Sequence, residues 1–378
     1  NEWGIDNLID PTGQRRFLQF TPLHPLLLGY VMGPPSPQNA FIVIALINIA
    51  VIILSLIVLY RAATADGPLT WFSTVFIGLC LFGIASTLDQ EGGRPEILAR
   101  LFFALSLVGA LYIKPKYHWL ALGVLLGFMG ATHPMGGLLL GFLLVALFGA
   151  RYSYRKALAY TVGSFFTSAL VFFSIIKIGP FSIADTFGGM ARMGKVVNTH
   201  LIADEALKFK LFFQHYVIDP GAPFLILIVL LFFVGAIAVY IKKRKHIHAP
   251  TLFFLGSFTV IGILAWLIFY IGGHQFYVAI LSPLFFGGIT YYVVRARSPI
   301  RVIAIVVVLL STLGVARNIL TFPIFLERGV SLEVARAEFK ERQGEYGENA
   351  NFGVTGSFWT LSESYDQMYT YDFWPKKP

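Results

Sequence analysis

Between Asn39 and Phe322 one pattern repeats: an apolar run, a short polar break, and another apolar run. Each run approaches the roughly 20 residues a helix needs to cross a hydrocarbon core. In lipid, every backbone polar group must be satisfied within the spanning element, so runs of this kind are helices. Ten are legible: Asn39 to Tyr60, Pro68 to Leu88, Ile97 to Ile113, His118 to Thr132, Met135 to Ala150, Ala157 to Ile178, Ala222 to Ile241, Pro250 to Ile271, Gln275 to Val294 and Pro299 to Phe322. The fourth and fifth are short and share the turn Thr132-His133-Pro134. With 56% hydrophobic and 13% charged residues over 378 positions, the composition is that of a membrane chain rather than a soluble one.

The expected fold is therefore an all-α polytopic membrane protein of about ten transmembrane helices, with outer interfacial helices and a small extramembrane C-terminal tail. Residues 1–38 form an outer loop with an interfacial segment, residues 39–323 the multi-span domain with an outer loop at 179–221, and residues 324–378 the tail.

Orientation follows from the cations, because short cytoplasmic connections retain Lys and Arg during insertion. Every second connection is cationic: Arg61; Lys114 and Lys116; Arg151, Arg155 and Lys156; Lys242 to Lys245; Arg295, Arg297 and Arg301. The intervening short connections, Asp89 to Glu96, His133, and Gly272 to His274, hold Arg94 alone. The net charge of +9 is thus spent on topology, and nucleic acid is excluded as a partner. This places the start, the 179–221 loop and the tail on the non-cytoplasmic side of an integral membrane protein. An outside start at Asn1 with no signal sequence implies one more span upstream.

Thr21 to Met32 is apolar but too short to span, so it lies along or dips into the outer interface until Pro34-Pro35-Ser36-Pro37 ends it. Asp204 to Tyr216 carries Leu207, Leu211, Phe212 and Tyr216 at helical spacing beside Lys208 and Lys210, as an interfacial helix does.

Ionisable groups near membrane depth are costly, which makes each a functional candidate. The densest set is Asp89, Glu91, Arg94 and Glu96, followed by Arg100 one turn into the next helix. Two readings stand side by side: a solvated loop whose arginines snorkel to the interface, or arginines that hold a phosphate while a carboxylate orients or deprotonates an acceptor. His133, before Pro134, either caps its turn or hydrogen-bonds a sugar or phosphate oxygen. His274, Gln275 and Tyr277 put polar groups at the same outer face, as does His24 between Pro22 and Pro25; for both of these histidines packing is the simpler role. No two histidines stand at i, i+4 with a glutamate, so no metal signature appears. Gly92-Gly93 and Gly188-Gly189 lack the strand-loop-helix setting of a nucleotide site. Cys80, the one cysteine, permits neither an internal disulfide nor a thiolate metal site.

Taken in order, Thr21-Pro22-Leu23-His24-Pro25-Leu26-Leu27-Leu28, then Gly93-Arg94-Pro95-Glu96-Ile97-Leu98-Ala99, then Thr132-His133-Pro134-Met135-Gly136, then Tyr277 to Pro283, the chain resembles the polyprenyl-phosphate-sugar-dependent glycosyltransferases of the GT-C superfamily, especially the bacterial protein-mannosyltransferase-like group. The resemblance implies transfer of a sugar from a lipid-phosphate carrier to an acceptor on the outer face, by direct displacement with inversion. It implies no cofactor beyond that donor and leaves divalent-metal dependence, the sugar and the acceptor open. Family members carry an acidic pair soon after their first span; Asn1-Glu2 is a loose stand-in here, and Asp6 and Asp10 are weaker ones. On this reading Arg94, then Arg100, stabilises the phosphate leaving group, and one of Glu2, Asp89, Glu91 or Glu96 takes the acceptor proton. His24, His133, His274, Gln275 and Tyr277 complete the substrate site. A transporter or flippase of a lipid-linked or small solute is the main rival, against which stand the lack of an internal repeat and the scarcity of mid-helix charge. A non-catalytic membrane subunit is the other.

Overall fold

A computed structural model describes residues 37–65, 67–86, 95–178 and 280–295, strands at 352–354 and 368–370, several positions of 301–309, and positions 23, 183 and 341. Seven helices are described: α1 Pro37–Thr64, α2 Trp71–Ser86, α3 Pro95–Tyr112, α4 His118–Thr132, α5 Pro134–Arg151, α6 Tyr154–Ile178 and α7 Ser282–Arg295. Six of them match the first six apolar runs to within a few residues, including the two short ones, and α7 overlaps the later part of the ninth. The runs Ala222 to Ile241 and Pro250 to Ile271 lie outside the described residues, as do most of Pro299 to Phe322, the 179–221 loop and the interfacial segments apart from Leu23 and Ile183. Leu23 is buried in the main hydrophobic core.

Local chemistry sets the boundaries. Thr70 and Ser73 form a reciprocal cap at the start of α2: the Ser73 amide donates to Thr70 Oγ1 at 3.1 Å and the Thr70 amide to Ser73 Oγ at 2.8 Å. Proline stands in the first turn of α1, α3, α5 and α7, where its missing N–H costs nothing.

Among the described residues, two helices are long and apolar enough to cross a membrane: Ile42–Thr64 with a mean hydropathy of 3.3 and Tyr154–Ile178 with 1.7. Of these windows only 28% and 22% is buried, whereas the core helix of a soluble protein is mostly enclosed. Ile42, Leu46, Ile49 and Ile53 on α1, and Leu158, Val162, Phe166 and Leu170 on α6, face outward. Shorter apolar helices cover Trp71–Ala85, Ile97–Tyr112 and Gly136–Gly149.

α3 joins two groups of helices. On one side it packs with α1, which also contacts α2 and α7; on the other with α4, which packs against α5 and, most extensively, α6. The α4–α6 crossing is close because small residues meet there. A Cβ on Gly123 would lie 2.8 Å from the Ser164 carbonyl oxygen, and one on Gly127 2.6 Å from Val171 Cβ and 2.8 Å from the Ser168 carbonyl oxygen. Gly123 and Gly127 form a small-xxx-small pair of the kind that lets helix backbones approach. Ser164 Oγ then reaches across to donate to the Trp119 carbonyl at 2.9 Å.

The cationic connections converge. Arg61 lies over the Tyr112 ring at 5.8 Å, Arg151 donates to the Ala110 carbonyl at 3.1 Å, and Arg295 donates to the Ala62 carbonyl at 3.0 Å. The C-terminal ends of α1, α3, α5 and α7 therefore share one end of the bundle, and each arginine meets carbonyls or rings at a helix terminus where positive charge is favoured. Among the described lysines and arginines, only Arg100 and Lys177 stand away from that end.

At the same end, Tyr152 bridges two turns. Its hydroxyl lies 3.0 Å from His118 Nδ1 and donates to the Pro115 carbonyl at 3.4 Å, while His118 Nε2 meets the Ile113 carbonyl at 2.8 Å. Burial pushes the Tyr152 hydroxyl above its ordinary value, Arg151 pulling the other way. A raised folded-state value means a contribution to stability that is complete below the unfolded value of about 10 and fades as pH climbs past it. Tyr152→Phe is expected to cost about 1 kcal/mol at neutral pH, read as a lowered midpoint in thermal unfolding, and to remove this alkaline sensitivity.

Among the described residues, one short strand pair accompanies the helices. Phe352–Val354 pairs in parallel with Met368–Thr370, with Phe352 opposite Met368 and Val354 opposite Thr370. The segment joining them is of the length that parallel neighbours require, and aromatic and β-branched residues favour the pairing.

Candidate functional site

The end of the bundle opposite the cations gathers the N-termini of α3, α5 and α7 with the C-termini of α2, α4 and α6. Two of the sequence-derived candidates have described side chains, and both are there. Arg100 is 3% exposed and His133 6%. Their relation follows from the α3–α4 packing: Phe102 stacks on Phe128 with centroids 5.6 Å apart, and a Cβ on Gly109 would meet Leu122 at 3.4 Å. In that antiparallel register the position level with Arg100 is about residue 130, which puts His133 about one helical turn, roughly 5 Å, farther along the axis.

Arg100 does not snorkel. Its place on α3 turns it inward, and an arginine stays charged at any accessible pH. A guanidinium removed from solvent is tolerated only where acceptors or an anion meet it.

His133 is a cap. It has extended backbone angles, φ −152° and ψ 102°, and its Nδ1 accepts the Gly136 amide at 2.9 Å. The composition around it follows from the turn. Thr132 Oγ1 bonds back to the Phe128 carbonyl at 2.8 Å, and Pro134 opens α5. Gly137 lies so close to Gly130 that a Cβ would stand 2.8 Å from its Cα. The cap also fixes the chemistry left to the ring. With Nδ1 accepting, the neutral imidazole carries its proton on Nε2, so His133 can donate to a sugar or phosphate oxygen but cannot serve as a base without giving up the cap. His133→Ala is expected to cost about 1 kcal/mol of stability. His133→Asn retains the cap and lacks the imidazole donor, so comparing activity in the two variants separates capping from ligand binding.

Glu96 falls in the first turn of α3, and its side chain lies outside the described residues. Glu2, His24, Asp89, Glu91, Arg94, His274, Gln275 and Tyr277 lie outside them entirely. Of the sequence-derived set, the structure thus places Arg100 and His133, both buried, at one end of the bundle and at similar depth along its axis. It adds Ser282, fully buried in the first turn of α7, which only its position before Pro283 could have flagged. Among the described residues no group of histidine, cysteine, aspartate or glutamate is arranged to hold a metal ion. Cys80 is buried and accepts a hydrogen bond from Thr290 at 3.6 Å, which makes it a packing residue.

No family model, no curated protein and no solved structure matches the chain.

Proposed function

We propose that the chain is a polytopic membrane glycosyltransferase that moves a sugar from a polyprenyl-phosphate carrier to an acceptor on the non-cytoplasmic face. The observation that carries this reading is the buried Arg100, about a turn from the level of His133 along the bundle axis, at the end away from the cationic connections. A cationic end retained in the cytosol would put Arg100 and His133 toward the outer leaflet, where a lipid-linked donor presents its phosphate. About ten spans, with the 179–221 loop and the tail outside, belong to the same proposal.

In this scheme the bond between the anomeric carbon and the phosphate oxygen breaks as the acceptor oxygen attacks. Arg100, with Arg94 near the same helix start, stabilises the charge that grows on the departing lipid phosphate. His133 donates from Nε2 to an oxygen of the donor. The acceptor's proton goes to a carboxylate, for which Glu2, Asp89, Glu91 and Glu96 are the candidates, and His24, His274, Gln275 and Tyr277 line the acceptor or sugar side.

A buried arginine among helices is also what a carrier of an anionic solute or lipid needs, and a transporter or flippase is the second reading. One preparation separates them. In proteoliposomes given a labelled polyprenyl-phosphate sugar, the transferase releases polyprenyl phosphate and labels an acceptor, and Arg94→Ala abolishes this. A carrier moves the intact donor between leaflets without cleaving it, and that result would overturn the proposal.

A further inference from the structure

The cationic end of the bundle carries more than an orientation signal. Lys114, Lys116, Arg151, Arg155 and Lys156 are all exposed, on the α3–α4 and α5–α6 turns. These turns are held against each other: Arg151 donates to the Ala110 carbonyl at 3.1 Å, and the Tyr152 hydroxyl donates to the Pro115 carbonyl at 3.4 Å and lies 3.0 Å from His118 Nδ1. Lys156 Nζ sits over the Tyr152 ring at 4.9 Å and the Tyr160 ring at 5.4 Å, and Lys116 Nζ over the Tyr117 ring at 4.7 Å. Among the described residues no carboxylate neutralises any of them. Topology alone asks for cations in the connections and does not ask that two connections be tied into one rigid, uncompensated patch. Beside it Tyr112, Tyr117 and Tyr154 are exposed, amphipathic rings of the kind that sit at headgroup depth.

We infer that the paired turns Lys114–Tyr117 and Tyr152–Lys156 form a binding site for the phosphate headgroup of an anionic membrane phospholipid. The occupant follows from charge and depth: the cations stand level with the exposed tyrosines, where a phosphodiester at the membrane surface is available and a folded acidic protein segment is not. Arg151 and Tyr152 hold the turns, and Lys114, Lys116 and Lys156 supply the charge that meets the phosphate. The inference rests on the membrane reading but not on sugar transfer.

The test uses the full chain in a zwitterionic detergent, titrated with phosphatidylglycerol, phosphatidylcholine or inorganic phosphate, with bound lipid counted by native mass spectrometry. Phosphatidylglycerol is expected to bind at least about tenfold more tightly than phosphatidylcholine, with inorganic phosphate failing to displace it. A surface cation is worth about fivefold in such binding. K114Q/K116Q/K156Q, which leaves Arg151 and Tyr152 in place, is therefore expected to erase the preference, and K177Q, at the other end of α6, to keep it. An unchanged preference in the triple variant, an equal loss in K177Q, or full displacement by inorganic phosphate would each overturn the inference. Thermal unfolding of the triple variant within a few degrees of the parent confirms that the loss is local. A chain that fails to transfer sugar yet selects phosphatidylglycerol would sink the transferase reading alone.

Discussion

Arg100→Met is expected to lower sugar transfer from a polyprenyl-phosphate donor by about a hundredfold or more while leaving a folded protein. Methionine fills much of the same volume in the α3 interior, and removing a buried charge spares the cost of keeping it out of water. The loss falls on the transition state, where the departing phosphate gains charge; removing one donor from such a site typically costs 10²- to 10³-fold, or about 3 to 4 kcal/mol. Arg100→Lys keeps the charge but loses the planar fork that grips two phosphate oxygens, so an intermediate loss is expected, expressed mainly in kcat. Turnover by Arg100→Met equal to that of the parent would remove Arg100 from the chemistry. A fall in activity matched by a collapse of the unfolding midpoint in both variants would make it a structural residue.

The largest effect on stability is expected at Gly127. A leucine there must place its Cβ where Val171 Cβ stands 2.6 Å away and the Ser168 carbonyl oxygen 2.8 Å away. The second of these is backbone and cannot rotate aside, so α4 and α6 must separate along their most extensive contact. Overpacking by a few methylenes already costs about 1 to 3 kcal/mol, and forced separation of two helices costs more, against a total stability of about 5 to 15 kcal/mol. Gly127→Leu is expected to abolish folded expression, and Gly127→Ala to lower the unfolding midpoint by several degrees. Val171→Ala should recover part of the alanine variant's loss and leave the part due to Ser168, giving a measurable coupling in a double-mutant cycle. Normal stability of Gly127→Leu would refute this packing of α4 on α6.

The helices themselves were legible from order and length. Apolar runs bounded by proline, glycine and charge give α1 to α6 to within a few residues, because a helix that must hide its backbone from its surroundings cannot be much shorter or longer than its apolar run. Among the described residues the cationic connections also fall at one end, since Arg61 and Arg151 meet the end of α3 and Arg295 meets that of α1. Charge near membrane depth pointed to Arg100 and the turn motif to His133, each with a structural and a ligand-binding role left open.

What one-dimensional order could not decide is burial and pairing. Arg100 lies one turn into a helix whether it snorkels or turns inward, and only the tertiary packing around α3 buries it. The turn Thr132-His133-Pro134 reads equally as a cap or a ligand. The contact of Nδ1 with the Gly136 amide decides for the cap and thereby limits the ring to donation. Sequence alone fixed a set of apolar helices with charge segregated to alternate ends, since hydrophobic length and charge are properties of each segment by itself. Tertiary structure decided which face of each helix is hidden and which polar groups meet, since these depend on close approaches between segments far apart in the chain, such as Gly127 on Val171 or Tyr152 on His118.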